Sequence, residues 1–371
     1  MEKQKLYEDH FNIMTSKQGL RGKSLEEIKE IFSNFLLSMP NGGKLYKYRS
    51  IDGESFEHTY DGLKEGYLWV AKASTLNDDL DCALQFDPKK EVEVAKREFQ
   101  QRPWTYFFHW QRMYPNTNYS ASPIETYYVK CIMMAYNADI GELDSEKAIA
   151  ILMHQCSMRR GEAVKFLERT ASTLNSVIEE RCKNILSTYS EIMQFNNKNR
   201  EHLYVYSMSE LYDSRTMWGR YTANRGFCIE YDFTKVLKLS QDMLQIFCSI
   251  YKVVYEKELK SFSFLNMHRY YMDDLKDDAL YCEMLRDMLT KWLTKTDEWK
   301  DEKEWRLFLF ELRDSKIYAD LVSGIIIDER ALNTDNCKRL LRLAKERGWE
   351  VKVRRKNLIG TGHDFVLYKN D

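Results

Sequence analysis

The sequence predicts a mixed α+β fold, with a central mixed or antiparallel sheet built from distant segments and a large helical insertion. Segments rich in aromatic and β-branched residues alternate irregularly with helical stretches, which disfavours a doubly wound sheet. All five prolines lie in the first third of the 371-residue chain. Long helices are therefore free to form beyond Pro123.

Two predicted helices have clear ends. Ser24 and Glu27 form a capping-box pattern at the start of a helix over residues 24–37. Gly348 follows a helix over residues 331–347, where a glycine commonly ends a helix. Helical spacing also covers residues 89–100, 144–195 and 264–295, with a break near Gly161.

The predicted strands are short and lie far apart in the chain. They cover residues 45–50, 68–73, 203–209, 226–233, 247–256, 304–312, 324–328, 349–354 and 365–369. We therefore predict a helical lead-in over residues 1–43 and a single α+β domain over residues 44–371. A helical insertion at about 89–200 interrupts that domain.

Composition argues against several classes of protein. The formal net charge is −1, so no global field steers the chain towards nucleic acid. The eight cysteines and seven histidines are scattered and form no metal-binding spacing. The first 14 residues do not resemble a signal peptide, and no apolar run is long enough to cross a membrane. We expect a cytoplasmic protein with no bound metal.

Glu304 begins a predicted strand and shares a face with Arg306, and an early start of the strand would add Glu302. Two carboxylates at the mouth of an apolar strand can stabilise an oxocarbenium-like centre or activate a nucleophile. A charged strand edge, in which Glu304 pairs with an arginine, explains the same pattern.

The segment Tyr46–Arg49 places Lys47 and Arg49 on one strand face and the two tyrosines on the other. An arginine at a strand end can bind phosphate bidentately. A surface cation packed over an aromatic ring is the other interpretation.

Ser74 and Asn77 lie in a polar turn that also carries Asp78, Asp79 and Asp81. Such residues often cap backbone groups in turns. At a pocket rim, Ser74 or Asn77 would instead hydrogen-bond a ligand. The aspartates suggest a divalent cation, although their spacing differs from that of an EF-hand loop.

Trp218 and Tyr221 are three residues apart on one side of a predicted helical turn, which favours core packing over a stacking platform. The C-terminal region carries a basic segment that would contact nucleic acid or form a solvated helix face. Its candidate contacts are Lys338, Arg339, Arg342, Arg354 and Arg355.

These segments, taken in chain order, resemble a bacterial family of unknown function numbered 2971. The resemblance rests on Tyr46–Arg49, Gly66–Leu68, Leu76–Asp78 with Asp81, Ser207–Glu210, Met217–Trp218 with Tyr221, Gly226–Asp232 and Glu302–Arg306. Asp79 departs from the family, whose members usually carry proline there, so the turn is expected to be built differently.

A more distant similarity is to the ADP-ribosyltransferase fold, which implies an NAD pocket. Arg49 would hold the pyrophosphate or ribose, Ser74 would support the nicotinamide ribose, and Glu304 would stabilise the transition state with Glu302 completing the pair. The candidate cofactor-binding residues are Arg49, Tyr48, Ser74, Asn77, Trp218 and Tyr221. By analogy, such bacterial enzymes are often toxins or anti-phage defence effectors.

Three functions therefore stay open at this point. The first is an NAD-dependent transferase or glycohydrolase acting on a macromolecular target. The second is a non-catalytic nucleotide or nucleic-acid binding or sensor module. The third is a metal-dependent nuclease that uses Asp78, Asp81 and Glu304.

Overall fold

The computed structural model describes residues 2–76, 78–93, 127–128, 131, 145–169, 198–262, 278–357 and 362–368. The chain divides into two compact units. The first unit comprises Met1–Leu84, Asn196–Lys260 and Tyr281–Asp371, and the second comprises Gln85–Phe195 and Ser261–Leu280. The first unit combines helices with a large mixed sheet, which confirms the predicted α+β class.

The strands of the first unit come from distant parts of the chain, as predicted. They are β1 (Lys44–Ser50), β2 (Tyr67–Trp69), β3 (Ala71–Lys72), β4 (Leu203–Ser209), β5 (Gly226–Asp232), β6 (Ile250–Lys252), β7 (Val254–Glu256), β8 (Thr294–Thr296), β9 (Glu304–Phe310), β10 (Lys316–Tyr318), β11 (Val322–Asp328), β12 (Glu350–Lys356) and β13 (His363–Leu367).

Among the described residues, nine strands form one sheet in the order β13-β12-β11-β5-β1-β4-β9-β6, with β3 added beside β4. β11 and β12 are parallel, and their connection includes a helix. The other pairs in this sheet are antiparallel. The strands β2 and β10 form an antiparallel pair, and β7 and β8 form a parallel pair.

Several helix boundaries follow from local chemistry. The chain opens with helix α1 (Glu2–Met14). The next helix, α2 (Leu25–Ser38), begins after Ser24, whose side chain completes the predicted capping box with Glu27. The last long helix is Asp335–Arg347, and it begins four residues later than predicted because the Thr334 side chain caps it. Gly348 ends it with a φ of 68°, as predicted.

Other elements differ from the predictions. The helix Glu54–Glu65 has no counterpart among the predicted helices. The predicted strand 68–73 is divided at Val70, whose backbone N–H donates to Ser315, and it ends in a 3-10 turn over Ala73–Thr75. The predicted strand 247–256 starts only at Ile250, because the helix Gln241–Phe247 occupies its first residue.

The two faces of the sheet carry different clusters. On one face, which we call the α2 face, the apolar side of the helix Leu25–Ser38 packs Phe32 and Phe35 into a large core with Leu45 and Leu307. On the opposite face, the Trp218 face, Trp218 packs with a smaller cluster that includes Tyr48. Cross-strand partners share a face, so the register assigns every strand residue to one face or the other.

In the second unit, the helix Ser145–Gln155 and helical residues 160–169 fall within the predicted helical region 144–195. The break between them precedes Gly161 and includes Ser157 in a left-handed conformation. Residues 88–93 are also helical. Within the predicted insertion, residues 94–126, 129–130, 132–144 and 170–197 lie outside the described residues, and so do residues 263–277.

Candidate functional site

A network of buried charges lies on the Trp218 face and centres on Arg306. Its side chain is fully buried, and its guanidinium binds two carboxylates. Nη1 and Nη2 donate to Oδ1 and Oδ2 of Asp81 at 2.7 and 2.8 Å. Nε and Nη2 donate to Oε1 and Oε2 of Glu304 at 2.7 and 3.1 Å. Both pairs are bidentate, the strongest arrangement for arginine and carboxylate.

Lys295 extends the network to a third carboxylate. Its Nζ donates to Glu304 at 2.9 Å and to Glu302 at 3.0 Å, and it lies 3.5 Å from Asp81. Glu302 also accepts hydrogen bonds from Arg220 at 3.0 Å and from the Tyr221 hydroxyl at 2.6 Å. Three carboxylates therefore face the three cations Arg306, Lys295 and Arg220, and the network is electroneutral in sum.

Local structure explains how Glu302 joins the network. Glu302 ends a 3-10 helix, Asp297–Glu302, instead of extending β9. Lys303 then adopts a left-handed conformation with φ of 44°, and β9 starts at Glu304. A turn therefore brings Glu302 to Lys295, which also binds Glu304, whereas an early start of the strand was the route expected from the sequence.

The network holds Glu304 in its ionised form. Burial pushes the pKa of Glu304 upward, but the charges of Arg306 and Lys295 outweigh burial and lower the pKa far below its usual value. Burial likewise pushes the pKa of Lys295 down, and the carboxylates of Glu304 and Asp81 raise it above the usual range. With both oxygens of Glu304 engaged by cations, this carboxylate is poorly suited to carry a proton or attack a substrate.

The tryptophan Trp299 stacks on the cations at the edge of this network. The guanidinium of Arg220 lies 4.4 Å from its ring centroid, and the Lys295 amine lies 4.9 Å away. Neither Trp299 nor Lys295 stands out in the sequence, because each is an isolated residue in a polar segment. Only the fold brings Lys295 to Glu302 and Trp299 to Arg220.

The carboxylates proposed for a metal-dependent nuclease already bind other groups of the protein. Asp81 and Glu304 share Arg306, and the Asp78 side chain accepts a hydrogen bond from the backbone of Leu80 at 2.9 Å. Among the described residues, no group of three or more histidine, cysteine, aspartate or glutamate side chains is arranged to hold a metal ion.

A second polar feature lies on the α2 face, where Lys47 and Arg49 project side by side from β1. β1 pairs with β5 along seven residues, but in the described ladder it meets β4 only at Tyr46 and Ser209. The strands β1 and β4 therefore separate beyond Tyr46. The Lys47 amine donates to the backbone carbonyl of Ser207 in this opening.

Two tyrosines complete the surroundings of these cations. The Lys47 amine lies 4.6 Å from the ring centroid of Tyr206, whose hydroxyl is 2.7 Å from that of Tyr231. Within the described part of the chain, neither Lys47 nor Arg49 forms an ion pair with a carboxylate. Burial and then the Arg49 charge lower the pKa of Lys47 well below its usual value, although Glu304 and Glu302 act in the opposite direction.

Arg49, Ser74 and Glu304, the three residues expected to define an NAD pocket, lie in three different parts of the first unit. The pairs Tyr46–Ser209 and Ser209–Glu304 put Tyr46 and Glu304 on the Trp218 face. Arg49, three positions after Tyr46, projects from the α2 face. Ser74 lies in the 3-10 turn after β3, and its hydroxyl is buried without a hydrogen-bond partner. Asn77 lies outside the described residues.

The aromatic candidates take part in the packing of the Trp218 face. Trp218 is fully buried, its indole N–H donates to the Tyr212 carbonyl at 2.9 Å, and its ring meets Tyr48 edge to face. The Tyr48 hydroxyl donates to the Leu211 carbonyl at 2.7 Å. Tyr221 is 37% exposed, so it is the aromatic candidate with the most accessible ring.

Most of the candidate cations in the basic C-terminal segment form ion pairs with carboxylates of the same chain. Lys338 binds Asp335 at 2.9 Å, and Arg339 forms a bidentate pair with Glu57 at 2.6 and 2.9 Å. Arg354 is buried, pairs with Asp328 and stacks over Trp218. Arg342 and Arg355 are exposed. Among the described residues these two are the candidates without an ion-pair partner, so the surface patch is weaker than the sequence suggests.

In the part of the chain that the structure describes, no helix has the length and apolar character needed to cross a membrane.

Comparison with known proteins gives one match. The model of a family described as protein of unknown function (DUF2971) matches residues 217–307. No curated protein and no solved structure matches the chain. The matched segment contains Arg220, Lys295, Glu302, Glu304 and Arg306, and therefore most of the buried charge network. The match supports the family resemblance seen in the sequence over this segment.

Proposed function

We propose that the protein binds a phosphate-bearing nucleotide and that Lys47 and Arg49 hold its phosphate groups. One observation carries this proposal: two adjacent cations, both partly buried, lack a carboxylate partner among the described residues at the opening between β1 and β4. A partly desolvated pair of like charges is unfavourable unless an anion neutralises it. Arginine supplies the planar donors that match phosphate, and lysine adds a point charge.

The lowered pKa of Lys47 gives the proposal a specific signature. An anion bound beside the amine would favour its charged form and raise its pKa. Nucleotide binding is then accompanied by proton uptake at a pH where the free amine is partly neutral, and affinity falls as the pH rises. A ligand held by hydrogen bonds to neutral groups alone would not have this coupling.

NAD is the first nucleotide to test, because of the resemblance to ADP-ribosyltransferases. A non-catalytic binding role fits the contacts better than glycosyl transfer. The carboxylate that would stabilise the transition state, Glu304, is bound to Arg306 and Lys295, and Arg49 projects from the other face of the sheet.

Calorimetric titration with NAD, ADP and inorganic phosphate tests the proposal. We expect Arg49→Met and Lys47→Met each to weaken nucleotide binding about tenfold or more, since a hydrogen bond to a charged group contributes roughly 1.5–3 kcal/mol. Arg342→Met is the matched control, because it removes an exposed cation and changes the net charge equally. Titrations in buffers of different ionisation enthalpy measure the proton uptake.

Two outcomes would contradict the proposal. The first is an absence of nucleotide binding by folded protein at millimolar ligand. The second is nicotinamide release from NAD that Glu304→Gln abolishes in a protein whose circular dichroism is unchanged. That result would favour the transferase over the binding module.

A further inference from the structure

Arg200 is a buried arginine that binds no carboxylate among the described residues. It lies three residues before β4 in the chain, and it is 8% exposed. Nη2 donates to the backbone carbonyl of Ala73 at 3.1 Å and lies 3.5 Å from that of Asp78. Its Nε is buried without a hydrogen-bond partner. Among the residues that the structure describes, the guanidinium charge is therefore met by backbone dipoles and by no carboxylate.

Ser74 supplies a second unpartnered polar atom, in the turn that Arg200 contacts. β3 pairs with β4 at Ala71–Val205 and Lys72–Tyr204, which brings the 3-10 turn Ala73–Thr75 beside the residues that precede β4. The Ser74 hydroxyl is buried and has no hydrogen-bond partner. Arg200 binds the carbonyl of Ala73, the residue directly before Ser74.

Three nearby carboxylates are engaged elsewhere. The Asp78 side chain accepts from the Leu80 backbone, Asp81 binds Arg306, and Glu201 lies 3.6 Å from the Lys72 amine. A buried charge without a counter-charge is costly, and so is each buried donor without an acceptor. One anion placed between the Arg200 Nε and the Ser74 hydroxyl would remove these costs together.

We propose that Arg200 and Ser74 form a binding site for a phosphate group. The guanidinium and the hydroxyl both donate hydrogen bonds, and the guanidinium supplies the positive charge. The neighbouring Thr75 is exposed, so the turn reaches solvent beside the site. This site is separate from Lys47 and Arg49, and it does not depend on the proposed nucleotide binding.

Equilibrium dialysis of the full chain against radiolabelled inorganic phosphate tests the site. We expect a saturable binding component that Arg200→Met abolishes and that Ser74→Ala weakens severalfold, apart from any phosphate bound at Lys47 and Arg49. Ser74→Ala removes one hydroxyl from a turn and preserves the backbone, so it remains informative if Arg200→Met does not fold. Arg49→Met serves as the matched control, because it removes a cation from the other phosphate site and should leave this binding component in place.

Competition with AMP distinguishes the source of the phosphate group. Displacement of the Ser74-dependent component by AMP indicates a phosphorylated ligand, whereas displacement by unlabelled phosphate alone indicates the free ion. Either result supports a phosphate site. Phosphate binding that is identical in wild type, Arg200→Met and Ser74→Ala, or absent from folded wild type, overturns the proposal. If Arg49→Met alone removes all phosphate binding, the nucleotide site stands and this one does not.

Discussion

Arg306 and Asp81 are 225 positions apart in the chain, yet they form a bidentate ion pair with N–O distances of 2.7 and 2.8 Å. Both side chains are buried. The pair links the segment that follows β3, which contains Asp81, to the strand β9, which contains Arg306. The same guanidinium also binds Glu304, so the Arg306 side chain links Asp81 to Glu304.

Breaking this pair should destabilise the protein strongly. Asp81→Asn keeps the shape of the side chain but leaves the Arg306 charge only partly compensated. We expect the free energy of unfolding to fall by roughly 3–5 kcal/mol, as when one partner of a buried pair is removed. Urea denaturation measures the change. Asp335→Asn, which breaks an exposed pair with Lys338, is the control, and an equal loss in both variants would refute a stabilising role for the network.

Glu304 should make the protein sensitive to acid. Its pKa is lowered in the folded state relative to the ordinary value of 4.5, so folding favours its ionised form. The corresponding stability is fully present above pH 4.5 and is lost as the pH falls below that value. We expect the slope of unfolding free energy against pH below 4.5 to be smaller in Glu304→Gln than in wild type. Parallel slopes would show that Glu304 does not contribute.

His10 should titrate in a higher pH range. It is buried and stacks on Phe35, and its Nε2–H donates to the Cys248 carbonyl at 2.7 Å. Burial lowers its pKa from 6.5 to about 4, so the neutral form is favoured in the fold. Stability is therefore fully present above pH 6.5 and decreases as the pH falls towards 4.

The expected loss from His10 is about 3 kcal/mol, since each pKa unit corresponds to roughly 1.4 kcal/mol. His10→Gln removes the titration and retains a donor for the carbonyl. Its unfolding free energy should vary less between pH 6.5 and 4, as measured by denaturation at fixed pH values. NMR titration of His10 with a pKa near 6.5 in the folded protein would contradict this prediction.

Gly226 permits the close approach of β5 to β1. A Cβ at this position would lie 2.3 Å from the Arg49 carbonyl oxygen and 2.7 Å from the Thr222 Cβ. We expect Gly226→Ala to lower the thermal midpoint by several degrees and to disturb Arg49, because backbone must move. Gly219→Ala, in the helix Arg215–Thr222, meets only an ordinary contact at 3.7 Å and should maintain or raise the midpoint. The opposite order would contradict this account.

Local sequence patterns predicted the elements that local chemistry controls. Ser24 and Glu27 cap a helix through their own hydrogen bonds, and the strand patterns located β1, β4 and β9 to within three residues. Side-chain alternation also correctly placed Lys47 and Arg49 on one face of their strand. It likewise placed Glu304 and Arg306 on one face of theirs. Those relationships are periodic properties of a single strand, so they can be read without knowing the neighbours.

The partners of these side chains were decided by the tertiary structure alone. Strand order places β1 between β5 and β4, and the register then puts Arg49 and Glu304 on opposite faces of the sheet. Asp81 reaches Arg306, and Lys295 reaches Asp81 and Glu304, through packing that leaves no periodic trace in the sequence. An ion pair depends on distance in space, whereas a sequence pattern records only distance along the chain.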